Sequence, residues 1–255
     1  MREESDKMYQ KERLDSILKE IGKYGYVTVK YLVGKLHYSN ATINRDLNVL
    51  ESRKEIRRTY GGVELVENSS VTLPFRYHKM HAEKVKAAQA AAALIEDGDT
   101  VFIDAATTTE YIAEFITDRK NLTVITNNLA IVMRLSECDI NVICLGGKVS
   151  EPPCMLDGVD TVENAAKYRA DKLFFATGYV SVEGWIGAGD MYFMLQKTMA
   201  KNSSKVYYLA DHEKFRNPRA RRILMDLSEV DGVICDYEFS PSVKAKFPHV
   251  NFIKV

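Results

Sequence analysis

Long apolar segments are missing from this sequence of 255 residues. The longest apolar stretch is rich in alanine, spans residues 87–95 and is interrupted by Gln89. Because a membrane-spanning helix needs roughly 20 consecutive apolar residues, the sequence excludes that class of protein. We therefore expect no membrane partner.

Paired cysteines are also missing. No Cys-x-x-Cys pair occurs and no apolar stretch near the amino end resembles a secretion signal, so we expect reduced thiols in a cytoplasmic protein. The four cysteines are Cys138, Cys144, Cys154 and Cys235. His78 and His81 lack further ligands at metal spacing, so we expect neither a bound metal nor a cofactor.

The sequence has no net charge, with 35 basic and 35 acidic side chains, but the charge is unevenly distributed. Residues 27–62 carry seven basic side chains and three acidic ones. A local basic excess of this kind can bind nucleic acid. The amino-terminal region is therefore the candidate for a nucleic-acid interface.

The same region has the pattern of three helices followed by a hairpin. Apolar residues at i, i+3, i+4 and i+7 predict a helix over residues 9–21. Shorter patterns predict helices over 29–36 and 41–53, the second with Ser39 as its N-cap. Residues 56–66 read as two strands around Gly61 and Gly62, which supply a positive-φ turn. This order of elements predicts a winged helix-turn-helix.

The third helix has one apolar side and one polar, basic side. Ile43 and Leu47 share the apolar side, whereas Arg45 and Asn48 lie opposite. Arginine can donate two hydrogen bonds to guanine, and asparagine can pair with adenine. A surface helix whose polar side only contacts water has the same pattern, but the short preceding helix and the basic hairpin fit a module that grips a DNA groove. Asp46 lies near the apolar side and is predicted to be a structural hydrogen-bonding partner.

A change of pattern separates this module from the rest of the chain. Polar residues and Pro74 mark the boundary, which predicts a DNA-binding domain over 1–67, a linker over 68–84 and a second domain over 85–255. Short apolar runs then alternate with helical patterns, as in parallel βαβ units. The predicted strands are 100–103, 122–125, 142–145, 172–176, 205–210 and 233–235, and the predicted helices are 85–95, 110–116, 129–135 and 191–200. The fold class is therefore α/β, with a mostly parallel sheet in the second domain.

A candidate anion site follows the first of these strands. Asp104 comes directly after the strand, and Thr107, Thr108 and Thr109 open the next helix. Backbone N–H groups at such a position are free to hold a phosphate. Three threonines also suit an ordinary capping turn, so the pattern alone leaves both interpretations open.

The stretch Ser39-Asn-Ala-Thr-Ile-Asn-Arg-Asp-Leu47, followed by Arg57-Arg58-Thr-Tyr-Gly61-Gly62, resembles the DNA-binding signature of DeoR-type transcriptional regulators. The usual form has two arginines before the aspartate, and here Asn44 replaces the first. Because Arg45 keeps its place, we expect this replacement to alter the operator preference rather than to abolish DNA binding. The resemblance implies these DNA contacts: Ser39, Asn40, Ala41, Thr42, Asn44, Arg45, Asn48, Arg57, Arg58 and Gly61.

Residues 104–109 resemble the Asp-x-Gly-Thr-Thr-Thr loop of the DeoR-type effector domain, which is similar in fold to ribose-5-phosphate isomerase. Ala106 replaces the glycine, which implies a narrower or reshaped effector pocket. The family often has an arginine shortly after the double glycine. In this chain Lys148 follows the double glycine, and residues 148–153 contain no arginine. Ligands of open parallel sheets bind beyond the carboxyl ends of strands. The expected effector contacts are Asp104, Ala106, Thr107, Thr108, Thr109, Asn127, Gly146, Gly147, Lys148, Gly178, Asp211 and Lys214.

The resemblance covers nearly the whole chain and implies a repressor of carbohydrate-catabolism genes. Its expected partners are double-stranded operator DNA and a phosphorylated sugar effector, and its expected assembly is a homodimer or homotetramer. One alternative is a sugar-phosphate isomerase carrying a DNA-binding head, with Asp104 or Asp211 as base and Lys148 as electrophile. However, no second carboxylate follows Asp190 in the next helix, so we expect no enzymatic activity. Another alternative is a DNA-binding protein whose sensor has lost its ligand, because of Ala106 and the missing arginine.

Overall fold

The computed structural model describes residues 2–24, 26–53, 55–59, 62–65, 80–150, 155–189, 193–215 and 222–255. The chain divides into an amino-terminal unit, Met1–Lys79, and a carboxyl-terminal unit, Met80–Val255. Among the described helices, none is both long and apolar enough to cross a membrane.

The amino-terminal unit consists of three helices and a small antiparallel sheet. The elements are α1 (Arg2–Tyr24), β1 (Tyr26–Thr28), α2 (Val29–Leu36), α3 (Asn40–Ser52), β2 (Ile56–Thr59) and β3 (Gly62–Leu65). Strand β3 lies between β1 and β2 and is antiparallel to both. The predicted three helices and hairpin are confirmed, with α1 extending beyond the predicted 9–21 at both ends.

Helix caps and one apolar cluster hold this unit together. The Thr28 hydroxyl accepts from the Tyr31 N–H at the start of α2, and the Ser39 hydroxyl accepts from the Thr42 N–H at the start of α3. The predicted N-cap role of Ser39 is therefore confirmed. The core contains these fully or nearly fully buried residues: Leu14, Ile17, Ile21, Val27, Leu32, Ile43, Leu47, Leu50, Ile56 and Val63.

The prediction of a positive φ at Gly62 is wrong, and Gly61 lies outside the described residues. Gly62 is not among the glycines with positive φ and is instead the first residue of β3, opposite Thr28 and Thr59. A Cβ at Gly62 would overlap the Tyr26 ring and the Val27 carbonyl oxygen. Glycine is required here by the close approach of β1, not by the turn.

Gly34 lies in the middle of α2 with open space around it. A Cβ at this position would have no heavy atom within 4 Å. We expect Gly34→Ala to raise the free energy of unfolding by about 0.5–1 kcal/mol, because alanine loses less backbone entropy on folding. Thermal denaturation followed by circular dichroism measures this gain. Gly62→Ala is the matched opposite case and should lower the melting temperature; a Gly34→Ala protein that melts below the parent would contradict the prediction.

The carboxyl-terminal unit is built around a seven-stranded sheet. Its strands are β4 (Thr100–Ile103), β5 (Thr123–Thr126), β6 (Asn141–Cys144), β9 (Ala170–Ala176), β12 (Ser203–Ala210), β14 (Gly232–Cys235) and β15 (Asn251–Lys254). The strand order is β15-β14-β12-β9-β4-β5-β6, and every adjacent pair is parallel. This confirms the predicted parallel α/β fold.

Other elements cover the sheet or extend from it. The helices are α4 (His81–Ala92), α5 (Leu129–Leu135), α6 (Val159–Ala166), α7 (Phe193–Lys201) and α8 (Pro241–Lys246). The 3-10 turns are Thr109–Glu114, His212–Phe215 and Leu227–Glu229. The remaining strands form a hairpin, β7 (Lys148–Ser150) with β8 (Met155–Asp157), and a small antiparallel sheet of β10 (Tyr179–Val180), β11 (Trp185–Ala188) and β13 (Arg222–Asp226).

Two apolar clusters, one on each side, bury the sheet. One contains residues of α4, α5 and the Thr109–Glu114 turn together with Phe174 and Tyr207 of the sheet. The other contains residues of α6 and α7 together with Phe175 and Tyr208. Neighbouring residues of one strand thus alternate between clusters, which explains why the central strands are continuous apolar runs.

Two predicted helices of this unit differ from the structure by more than one or two residues or in type, whereas the helix predicted over 191–200 is Phe193–Lys201. The helix predicted over 85–95 begins at His81, because Lys84 continues the buried stripe of Ala87 and Ala91 despite its charge. The predicted domain bounds, with a linker over 68–84, stay a prediction, and residues 66–79 are outside the described part. The helix predicted over 110–116 is a 3-10 turn, tightened at its start by hydrogen bonds of the Thr109 hydroxyl.

Candidate functional site

The outward side of α3 is exposed, as the apolar pattern predicts. Arg45 and Asn48 are exposed near the middle of the helix, and Ser39, Asn40 and Ala41 are exposed at its start. Thr42 and Asn44 are half-buried. Arg45 has no hydrogen-bonding or ion-pair partner in the described part of the chain, so its guanidinium is available to a ligand.

Asp46 has the structural role predicted for it. Its side chain is 0% exposed. Both carboxylate oxygens accept from Arg13 of α1, the Nη2–Oδ1 distance being 3.0 Å. This bond raises the pKa of the Arg13 guanidinium. The ion pair holds α3 against α1. Because Asp46 is fully buried, its carboxylate is not available to DNA.

The two arginines of β2 are held by the protein itself. Arg57 donates from Nε to Glu64 Oε1 across the hairpin at 2.7 Å. Arg58 reaches back to α3, donating to Asn44 Oδ1 at 3.0 Å and to Asn48 Oδ1 at 2.6 Å. Strand β2 is thereby tied to the exposed side of α3.

The carboxyl ends of five neighbouring strands lie at the same edge of the sheet, and β9 and β12 extend two and three residues beyond the others. Ile103 of β4 pairs with Phe174 of β9 and with Thr126 of β5, and the pairing continues from β9 to β12 and from β5 to β6. The chain runs outward from β4 through β5 to β6, then returns to β9 on the other side of β4. The strand order therefore reverses between β4 and β9, the place where open parallel sheets bind ligands.

Asp104 bridges that reversal point. Its Oδ1 accepts from the Thr109 hydroxyl at 2.8 Å. Its Oδ2 accepts from the Ala176 N–H at 3.2 Å and from Gln196 Nε2 at 2.9 Å. One buried carboxylate thus connects β4, β9, α7 and the threonine loop.

The threonine loop, residues 104–109, contacts a lysine that the sequence analysis did not predict as a site residue. Lys84 of α4 is 2% exposed and donates from Nζ to the Thr107 hydroxyl at 3.2 Å. The N–H groups of Thr107 and Thr108 have no acceptor among the described residues. A cation beside the loop, together with two N–H groups of the loop that have no described acceptor, favours an anion. The signal that was missed is the place of Lys84 on the buried alanine stripe of α4.

Three buried acceptor atoms at this edge lack hydrogen-bond partners. They are Asn127 Oδ1, Gln196 Oε1 and Asp211 Oδ2, and within the described part of this unit no other buried side-chain nitrogen or oxygen is without one. These residues are 2%, 5% and 1% exposed. Asp211 Oδ2 lies 3.5 Å from Lys214 Nζ. Buried acceptors without donors are costly, so each is a place for a ligand hydroxyl.

The other predicted effector contacts differ in conformation, in exposure and in whether they contact the Asp104 network. Gly146 and Gly147 both have positive φ, and the Gly146 carbonyl accepts from the Thr161 hydroxyl at 2.8 Å. Lys148 is exposed at the start of β7. A Cβ at Gly178 would meet no heavy atom within 4 Å. Ala106 is buried, and its carbonyl oxygen accepts from the Thr109 hydroxyl and the Glu110 N–H. No described contact joins Lys148 or Gly178 to the Asp104 network.

Two family models match the chain, one in each unit. Residues 13–69 match the DeoR-like helix-turn-helix domain, and residues 79–237 match the DeoR C terminal sensor domain. Together they span both units described above.

Named relatives and solved structures are also similar to this chain. The transcriptional repressor GlcR of Bacillus subtilis is 32% identical over 232 residues, covering 90% of this chain and 89% of that protein. The glycerol-3-phosphate regulon repressor of Escherichia coli is 31% identical over 234 residues, covering 90% and 92%. The ribose 5-phosphate isomerase of Methanocaldococcus jannaschii is 16% identical, covers 54% of this chain and 55% of that one, and has a TM-score of 0.40.

Proposed function

Because the chain belongs to the DeoR family of transcriptional regulators, we propose that it is a repressor of carbohydrate-catabolism genes controlled by a phosphorylated sugar. In this proposal the amino-terminal unit binds double-stranded operator DNA in the cytoplasm, and the sheet edge of the carboxyl-terminal unit binds the effector. The E. coli relative is named for a phosphorylated three-carbon compound, which supports an effector of this class.

The observation that carries the proposal is the mixture of groups at the sheet edge. Asn127 and Gln196 offer buried acceptors that lack hydrogen-bond donors, and Asp211 offers one that faces only Lys214 at 3.5 Å among the described residues. A sugar supplies hydroxyl donors to such acceptors. Lys84 and the free N–H groups of the threonine loop offer the complementary groups for a phosphate. A ligand carrying both hydroxyls and a phosphate satisfies both sets.

The position of Asp104 supports binding without catalysis. Both of its oxygens accept hydrogen bonds from within the protein, so it is not placed as a free base beside a ligand carbon. We propose that Asp104 shapes the site while Thr107, Thr108, Asn127, Asp211 and Lys214 contact the effector.

Control of DNA binding requires that the effector distinguish two arrangements of the assembly. We propose a homodimer or homotetramer, because helix-turn-helix proteins read paired half-sites with two recognition helices. Release from DNA then follows if the effector binds more tightly to the arrangement whose α3 helices do not match the half-site spacing.

The effector site is tested by calorimetry on the full chain with glucose 6-phosphate, fructose 1-phosphate, fructose 6-phosphate, glycerol 3-phosphate, glucose and inorganic phosphate. We expect one phosphorylated compound to bind selectively. Lys84→Met and Thr107→Val should each weaken that binding at least about tenfold, the loss of one charge-assisted or hydroxyl contact. Lys86→Met is the matched control, since Lys86 is exposed on the same helix.

Two results would contradict this proposal. Full affinity in both Lys84→Met and Thr107→Val would remove Lys84 and the threonine loop from the site, and equal affinity for glucose and its phosphate would remove phosphate recognition. A mobility-shift assay with DNA selected by the parent chain then shows whether the bound compound releases the complex, as expected of an inducer.

A further inference from the structure

A continuous set of hydrogen bonds runs along the exposed side of α3. Asn44 donates from Nδ2 to the carbonyl oxygen of Asn40 at 2.9 Å and also to Asn40 Oδ1. Arg58 donates from Nη1 to Asn44 Oδ1 and from Nη2 to Asn48 Oδ1. A further bond from Arg58 Nη2 reaches the Asn44 carbonyl oxygen at 3.0 Å. We name this set the α3 bracket: Asn40, Asn44, Asn48 and Arg58.

The bracket fixes which way the asparagine amides face. A guanidinium only donates hydrogen bonds, so the atoms of Asn44 and Asn48 that face Arg58 are oxygens. The NH₂ group of Asn44 is used by Asn40. The NH₂ group of Asn48 has no partner in the described ranges, and the side chain is exposed. Asn48 therefore presents donors to whatever α3 contacts.

Resting on the proposed binding of α3 to DNA, we infer that Arg58 is a positioning residue that makes Asn48 a donor-only reader of the major groove. Donors pair with the acceptor edges of guanine (N7, O6) and thymine (O4). The two-bond contact to adenine needs the asparagine oxygen as well as its NH₂ group, and Arg58 holds that oxygen toward β2. The NH₂ group alone meets two acceptors on guanine, one on thymine, one beside a donor on adenine and none on cytosine. Asn48 thus favours guanine or thymine, with adenine below both and cytosine least favoured.

The partners of Arg58 distinguish it from an arginine that binds a DNA phosphate. Its Nε lies 3.3 Å from Glu51 Oε2, and its Nη atoms are bonded to α3. An arginine that neutralises a phosphate contributes about one unit to the slope of log affinity against log salt, equally for all sequences. An arginine that acts through Asn48 changes the preferred base and leaves that slope unchanged.

The test is selection of sites from a randomised double-stranded DNA library by the full chain, followed by titrations at several salt concentrations. Asn48→Asp keeps an acceptor for Arg58 and replaces the NH₂ donor by oxygen. We expect the preferred base at one position of each half-site to change from guanine or thymine to cytosine or adenine. For Arg58→Gln we expect at least a tenfold loss of discrimination at that position, with an unchanged salt slope.

Arg53→Gln is the matched control, because the Arg53 side chain is exposed directly after α3 and contacts only Glu55, at 3.8 Å, among the described residues. It should keep the parent's base preference. Circular dichroism verifies that each variant is folded, and Asn48→Asp provides a test on an exposed side chain should Arg58→Gln fail to fold.

The outcomes are distinct. An unchanged base preference in Asn48→Asp overturns the inference, as does a uniform loss of affinity in Arg58→Gln with a slope reduced by about one. A parent chain that enriches no sequence at all contradicts DNA binding itself, and with it the inference.

Discussion

Replacement of Arg13 by methionine is expected to lower the free energy of unfolding of the amino-terminal unit by about 3–5 kcal/mol, because it leaves the buried carboxylate of Asp46 without its partner. Methionine retains most of the apolar length of arginine, so the loss comes from the missing charge. A unit of this size has a total stability of roughly 5–15 kcal/mol, so the change removes a large part of it. We expect specific DNA binding to fall with the folded fraction.

The experiment uses the position of the only tryptophan. Trp185 lies in β11 of the carboxyl-terminal unit, so its fluorescence follows that unit in urea. Circular dichroism follows the helices of both units. Arg13→Met should move an early part of the circular dichroism transition to lower urea and leave the Trp185 transition in place.

Two further variants serve as controls for this prediction. Lys19→Met changes an exposed lysine of the same helix and should have little effect, since exposed charges contribute about 0–1 kcal/mol. Arg13→Met combined with Asp46→Leu should recover most of the loss, because an apolar pair can replace a buried ion pair. A double variant no more stable than Arg13→Met would show that the ion pair is not the cause.

Replacement of Gly147 by alanine is the second change with a large expected effect. Gly147 has a φ of +114°, a conformation that residues with a side chain rarely adopt. A Cβ there would overlap the Thr161 hydroxyl and lie 2.8 Å from the Asp157 carbonyl oxygen. We expect a loss of stability of about 2–3 kcal/mol from backbone strain together with overpacking, reported this time by Trp185 fluorescence.

The displaced loop should also weaken effector binding at least about tenfold, equivalent to 1.4 kcal/mol of binding free energy. Gly178→Ala is the control, because Gly178 has no positive φ and its Cβ would meet nothing within 4 Å. Calorimetry with the compound that binds the parent chain measures both variants. Equal affinity in Gly147→Ala and the parent would remove this loop from the proposed site.

The parts of the fold that the sequence predicted are those with a strong local signal. Helix α2, helix α5 and strand β4 agree with the predicted bounds 29–36, 129–135 and 100–103 residue for residue. Each is a buried or half-buried element with a clear periodic or continuous apolar pattern. Asp46 was also assigned correctly, since its angle on the helix wheel placed it near the core.

The parts that it could not predict depend on contacts between distant residues. Gln196 bonds to Asp104 across 92 positions, and nothing local marks a glutamine in a helix as a site residue. Strand β10 has two residues, too few for an alternating pattern. The engagement of Arg58 with Asn44 and Asn48 depends on how the hairpin packs on α3, so the motif gives the residue types and leaves their partners undetermined.

The central pairing of the large sheet also sets an order of events during synthesis. Next to the pairing of β4 with β9, the Thr100 N–H bonds to Asp171, 71 positions along the chain. Such non-local pairings form slowly and must wait until both segments have left the ribosome. The core of the amino-terminal unit spans only residues 14–63, which leave the ribosome before the carboxyl-terminal unit does. We therefore expect the amino-terminal unit to complete its fold while the carboxyl-terminal unit is still being translated.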